Sequence, residues 1–160
     1  NYADILDNTA SLRTRYGDRA LLRSLHFMEE NRRVAKQFSA LSQNRFQDFL
    51  SLVTESGQSS FQYLQNVFSP EETRNQELAL ALFLAEKMLK GCGAWRVHGG
   101  GFAGTTLNIV PIEKISYFTR TMEQTFGEGC CTVLRVSKSG GRELTERGDR
   151  SEYERYFLGG

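Results

Sequence analysis

The stretch Arg96-Val97-His98-Gly99-Gly100-Gly101-Phe102-Ala103-Gly104 decides how the rest of this chain is read. Four glycines fall within the six residues 99–104. Gly99, Gly101 and Gly104 satisfy G-x-G-x-x-G, the pattern of a phosphate-binding turn, which is weak evidence until its flanks are read. A dinucleotide-binding fingerprint needs a strand before the turn and a helix after it, so that the helix N-terminus holds the pyrophosphate. Here Thr105, Thr106, Ile109 and Val110 follow, β-branched residues that favour a strand. That flank excludes the Rossmann reading. A protein-kinase glycine loop does lie between two strands, but the chain has neither an H-R-D nor a D-F-G. A Walker A loop ends in G-K-[ST], whereas Gly104 is followed by Thr105.

What remains is a glycine-rich turn between two strands. The plainest account is a hairpin that needs positive φ and tight packing. Four glycines exceed what a hairpin requires. The surplus points to a group approaching the backbone closely, and an anion accepting backbone N–H bonds is one candidate.

The residues before the turn read as helices. Tyr2, Ile5, Leu6 and Leu12 recur at helical spacing over 1–16, with Gly17 as terminator. Asp18 is the expected N-cap of a long helix carrying Leu21, Leu25, Met28, Ala35 and Phe38 on one face, with Glu29 and Arg33 paired outside. A third helix starts near Asn44, with Phe46, Phe49, Leu50 and Val53 at i, i+3, i+4 and i+7. Residues 56–68 are polar and unassigned. Ser69-Pro70-Glu71-Glu72 reads as a helix start, with Ser69 capping and Glu72 completing a capping box, and the helix runs to about Lys90 through Leu78, Leu82 and Leu89. Gly91 and Gly93 end it.

The pattern then changes. Residues 94–98 read as a short strand, "TTLNIV" (105–110) as a second and "CCTVLRV" (130–136) as a third. Between the last two, Pro111 opens a helix with Ile112, Ile115, Phe118, Met122 and Phe126 on one face and Gly127 as terminator. The last 24 residues, from Ser137, are polar, with a short helix expected around 151–157. The predicted fold class is α+β: a small antiparallel sheet with helices packed on one face, in a single domain over 1–160.

Bulk properties narrow the function classes. The 160 residues support one domain with a real core. A net charge of +1 argues against a nucleic-acid partner, which calls for a surplus of basic residues. Arginine supplies most of the twenty basic residues, but they are interspersed with acids. No apolar run is long enough to span a membrane, and no signal peptide opens the chain. Cys92, Cys130 and Cys131 make an odd set with two adjacent, a poor disulfide framework that fits a reducing cytoplasm. No metal site is expected, because paired C-x-x-C spacing is lacking and only His26 and His98 could assist. The chain begins at Asn1 rather than Met, which reads as a processed product, a fragment or an excised domain.

"GAWRVHGGGFAGTTLNIV" (93–110) resembles the third motif of galactokinases, within the GHMP family of small-molecule kinases. That motif runs approximately G-[AS]-R-x-T-G-G-G-F-G-G before a hydrophobic strand; Arg96, Gly99, Gly100, Gly101, Phe102 and Gly104 match it. "RSLHFMEENRRV" is similar to the family helix R-x-x-H-x-x-x-E-N-x-R-V through Arg23, His26, Glu30, Asn31, Arg33 and Val34. "SLVTESGQSSFQ" is more weakly similar to the family's L-M-N-E-S-H-x-S-L-R through Glu55, Ser56 and Ser59. The matches stand in family order and cover about residues 19–136. Departures are His98 for a Thr, Ala103 for a Gly and Gly57 for a His, and the tail 137–160 has no counterpart.

The resemblance implies the C-terminal domain, ferredoxin-like in fold, of an ATP- and Mg2+-dependent kinase acting on the anomeric hydroxyl of galactose. Its partner would be an N-terminal GHMP domain, which carries the family's Ser-rich phosphate loop and Asp; both are absent here, so no catalytic residue is assigned to this chain. In this reading Gly99, Gly100, Gly101 and Gly104 line the phosphate side of an interdomain site. Phe102 packs under the loop, Arg96 orients the strand or adds positive charge, and His98 is a packed or solvated turn residue that could instead meet a phosphate or ribose. Phosphoryl transfer rests on such positioning and electrostatic stabilisation. His26, Glu30 and Asn31 are expected as a buried polar network anchoring helices rather than as substrate contacts. Trp95 is expected in the core, and Glu113 and Glu123 at the surface. The alternative is a free-standing small-molecule-binding or interaction module that kept the fold without the chemistry. The upstream reading frame separates the two.

Overall fold

Ala94 and Val97 bracket an apolar strand, and Thr106–Ile109 supplies its partner. β1 (Ala94–Val97) and β2 (Thr106–Ile109) pair antiparallel, with Ala94 opposite Ile109 and Val97 opposite Thr106. The computed structural model describes residues 1–101 and 104–136. Six α-helices accompany the hairpin among these residues: α1 (Tyr2–Asp7), α2 (Thr9–Tyr16), α3 (Asp18–Ser42), α4 (Phe46–Ser59), α5 (Glu77–Leu89) and α6 (Ile115–Phe126). The class is therefore α+β with a two-stranded antiparallel sheet. No helix among the described residues is long and apolar enough to cross a membrane.

Helices cover both faces of the hairpin, not one as expected. Side chains alternate along a strand, and the contacts follow that alternation. Ala94 packs with Leu50 and Val53 of α4, and Ile109 joins them. Arg96, on the same face, meets Ser56 of α4. On the opposite face Trp95 and Val110 pack on Ala85, Leu89, Phe118 and Met122 from α5 and α6, and Val97 packs with Val67 and Leu78. Trp95 thus joins the core as predicted.

Local chemistry explains the other departures. The N-terminal helix divides at Asn8, where the Asn8 side chain donates to Asp4 O and Thr9 Oγ1 donates to Ile5 and Leu6 carbonyls; such bonds compete with the helical ladder. Asp18 is the first residue of α3 rather than its cap, and its carboxylate accepts from Arg13 Nε at 2.6 Å. Ala35 and Phe38 are exposed, the latter at 75%. Arg33 pairs with Glu30 instead of Glu29, which accepts from Tyr2 Oη at 2.7 Å.

Residues 56–68 continue α4 to Ser59 and then a π-helical turn over Ser60–Leu64, closed by Gln65 in the left-handed region (φ 53°). The helix predicted from Ser69 begins only at Glu77. The Glu72 carboxylate accepts the Arg74 and Asn75 N–H groups at 2.8 and 3.1 Å, and Ser69 Oγ accepts Glu71 N–H. The capping side chains are used, but they stabilise a loop. After β2, a short 3-10 turn (Ile112–Lys114) leads into α6, leaving Ile112 87% exposed while Phe118 and Met122 are buried. Residues 130–136, expected as a third strand, pair with no strand among the described residues, and Val133, Leu134 and Val136 are exposed there; β propensity needs a pleated neighbour to act on. The helix expected near 151–157 lies outside the described residues.

Candidate functional site

Three stretches distant in sequence meet at one polar cluster. α3 presents His26, Glu30 and Arg33; α4 presents Ser56 and Ser59; β1 presents Arg96. Arg96 Nη1 donates to Ser56 Oγ at 2.6 Å, and Ser56 Oγ donates to the Glu30 carboxylate. Glu30 also pairs with Arg33 and lies 3.7 Å from Arg96 Nη1. Arg33 reaches towards Glu55 at 3.9 Å. Below them His26 Nδ1 shares a 2.8 Å hydrogen bond with Ser59 Oγ. Ser56 and Ser59 are buried, and His26 is only 7% exposed. Burial lowers the His26 imidazole below its ordinary pKa of 6.5, with Arg33 and Arg96 acting in the same direction and Glu30 against them.

The cluster is the anchoring network expected for His26 and Glu30. Asn31 is exposed and stands outside it. Arg96 does not add free charge to the glycine turn. Its guanidinium is held by Ser56 and Glu30, and its Nε donates to Val97 O at 3.0 Å. It therefore orients β1 against α4. Glycine at position 57 has a local reason: a Cβ there would lie 2.8 Å from Arg96 Cβ and 3.0 Å from Trp95 O. Bare backbone here lets strand and helix touch.

The turn rises from the end of β1. His98 N–H donates to Thr105 O at 3.0 Å and Gly104 N–H to Gly101 O at 2.8 Å, which closes the loop. The His98 residue is exposed, as a solvated turn residue should be. Gly101 is buried with φ +89°, and a Cβ there would collide with the Asn66 carbonyl oxygen. Packing and backbone both demand glycine at 101. Gly99 and Gly104 also have positive φ, but a Cβ at either would meet nothing within 4 Å among the described residues. Gly100 differs from all three. It has no positive φ, it is exposed, and a Cβ would meet nothing within 4 Å among the described residues. The N–H groups of Gly99, Gly100 and Gly101 find no acceptor among the described residues. Phe102, predicted to pack beneath the loop, lies outside them.

Asn66 is a site residue that sequence reading missed. It is 3% exposed, and its Nδ2 donates to Gly100 O at 3.2 Å. Its Oδ1 is buried without a partner among the described residues. It follows the left-handed Gln65 directly, in a stretch whose polarity gave no periodic signal. Two shallow surface depressions among the described residues lie elsewhere, lined by residues of α3 and α4 such as Arg33, Lys36, Leu52 and Glu55. No group of three metal-ligating side chains gathers among the described residues. A scan against family models and searches among curated proteins and solved structures find no match to this chain.

Proposed function

We propose that this chain is the C-terminal domain of a galactokinase-like enzyme, with its glycine turn forming the phosphate side of a site completed by an N-terminal GHMP kinase domain. The observation that carries the reading is Gly100. Neither its backbone angle nor any described neighbour requires glycine there. Bare backbone at that point serves something outside the described part of this chain. A triphosphate and the facing domain fit that requirement, because exposed N–H groups in a turn bind anionic oxygen. The meeting of the three resembling stretches in one cluster is consistent with the same reading.

Each residue then has a physical task. Gly99, Gly100 and Gly101 offer N–H donors to phosphate oxygens. Gly104 turns the chain back into β2, and His98 holds the base of the turn through its backbone. Arg96, held by Ser56 and facing Glu30, keeps β1 seated on α4, so the turn stands on a rigid support. ATP with Mg2+ supplies the transferable phosphoryl group, and the sugar's anomeric hydroxyl receives it. In this reading the metal ligands, the catalytic groups and most sugar contacts belong to the N-terminal domain, and the present chain alone is inactive. Its partners are that domain and a small sugar, in the cytoplasm.

The test is phosphorylation of galactose by the complete enzyme, followed by phosphorus NMR for a phosphate on the anomeric oxygen. Gly100→Val is expected to lower turnover about a hundredfold, since small displacements of a positioning element have effects of that size. The urea midpoint should not change, because a Cβ at Gly100 meets none of the described residues within 4 Å. Wild-type turnover in Gly100→Val would refute the close-approach role.

A further inference from the structure

Cys130 and Cys131 follow α6 on a short turn that takes no part in the glycine site. Gly127 and Gly129 both have positive φ, Cys130 N–H donates to Gly127 O at 3.3 Å, and Gly129 N–H donates to Glu123 Oε1 at 3.1 Å. The turn holds the two sulfurs 3.8 Å apart. Their surroundings differ. Cys130 is exposed, whereas Cys131 is half-buried against the cluster of Ala85, Leu89, Phe118 and Met122.

We propose that Cys130 and Cys131 are a vicinal dithiol site that oxidises to a disulfide between neighbouring residues by exchange with a small-molecule disulfide. Burial, with the Cys130 sulfur beside it, pushes the Cys131 thiol up to about 11, so Cys131 stays protonated at neutral pH. The exposed Cys130 is therefore the first attacker. Its thiolate displaces one sulfur of the small disulfide, forming a mixed disulfide and releasing one small thiolate, which takes up a proton. Cys131 then gives its proton to water or buffer and attacks Cys130 Sγ, which expels the second small thiolate. In sum, two protein thiols and one small disulfide become one protein disulfide and two small thiols. The protein loses two electrons and the small disulfide gains them.

Adjacent Cα atoms stand about 3.8 Å apart, short of the usual disulfide span of about 4.4–6.8 Å. Such a ring is strained, and strained disulfides are the easily reduced, regulatory kind. The site is a reversible modification rather than a staple.

The protein is treated with oxidised glutathione at neutral pH, quenched with an alkylating agent and digested with trypsin. Cleavage after Arg120 and Arg135 places both thiols in peptide 121–135, while Cys92 falls in 91–96. The expected product is peptide 121–135 lighter by two hydrogens, unalkylated, and restored by dithiothreitol. It should form about tenfold faster in the folded protein than in urea, because the turn pre-positions the sulfurs. Cys131→Ser should instead keep glutathione on Cys130. A lasting glutathione adduct in the wild-type peptide, two alkylated thiols, or equal rates folded and unfolded would overturn the proposal.

Discussion

Glu30 balances two arginines at once. Its carboxylate takes the Ser56 hydroxyl and the Arg33 guanidinium and faces Arg96. Arg33 and Glu30 side chains are only 12% and 21% exposed, so water compensates poorly for a lost partner. Glu30→Gln is expected to lower stability by about 2 kcal/mol, read from urea titration. An unchanged midpoint would show that the cluster contributes nothing net. His26 gives the same cluster a pH dependence. Its folded pKa is lowered, so below about pH 6.5 the unfolded chain binds more protons than the folded one. Its contribution is complete above that pH and declines as pH falls. Between about pH 7.5 and 5.5, wild-type protein should lose more stability than His26→Gln, and parallel profiles would exclude a role for His26. Membership of this cluster was legible from sequence for His26 and Glu30, but not for Arg96, which was read as serving the glycine turn, and Asn31, expected in it, is exposed outside it. The serine partners were not legible either, because Ser56 and Ser59 acquire meaning only when α4 is laid against α3.

At the scale of elements, Gly57 decides how closely α4 approaches β1. Gly57→Ala places a methyl group 2.8 Å from Arg96 Cβ, both atoms fixed to their backbones. Overpacking of this kind costs about 1–3 kcal/mol, which guanidinium unfolding of the variant would measure. A silent Gly57→Ala would mean that helix and strand can separate freely. Helices announced by apolar period were found: α3, α4, α5 and α6 all lie where the spacing put them, to within a few residues at their ends except at the start of α5. Signals that rest on one or two side chains were less dependable. Ser69 and Glu72 make the local hydrogen bonds of a cap, yet they hold a loop, since nothing apolar packs there until Leu78. Residues 130–136 have strand composition without a neighbouring strand to bond among the described residues.

Across the whole molecule, α3 retains a row of exposed apolar side chains: Phe27, Val34, Phe38 and Leu41. Phe38 is 75% exposed, so Phe38→Ser should change the stability of this chain by no more than about 0.5 kcal/mol. A larger loss in thermal or urea unfolding would show that Phe38 is covered in solution.

The amino-acid sequence by itself determined the period of the helices, the two strands about the glycine turn and the α+β class, because these follow from local spacing and backbone preference. It also marked Gly99, Gly100 and Gly101 as unusual. Tertiary structure alone decided that helices cover both faces of the hairpin, that Arg96 is spent on Glu30 and Ser56, and that Asn66 supports the turn. It alone separated Gly101, which its neighbours require to be bare, from Gly100, which they do not. Those outcomes depend on which atoms meet across long sequence separations, and no local pattern encodes such a meeting.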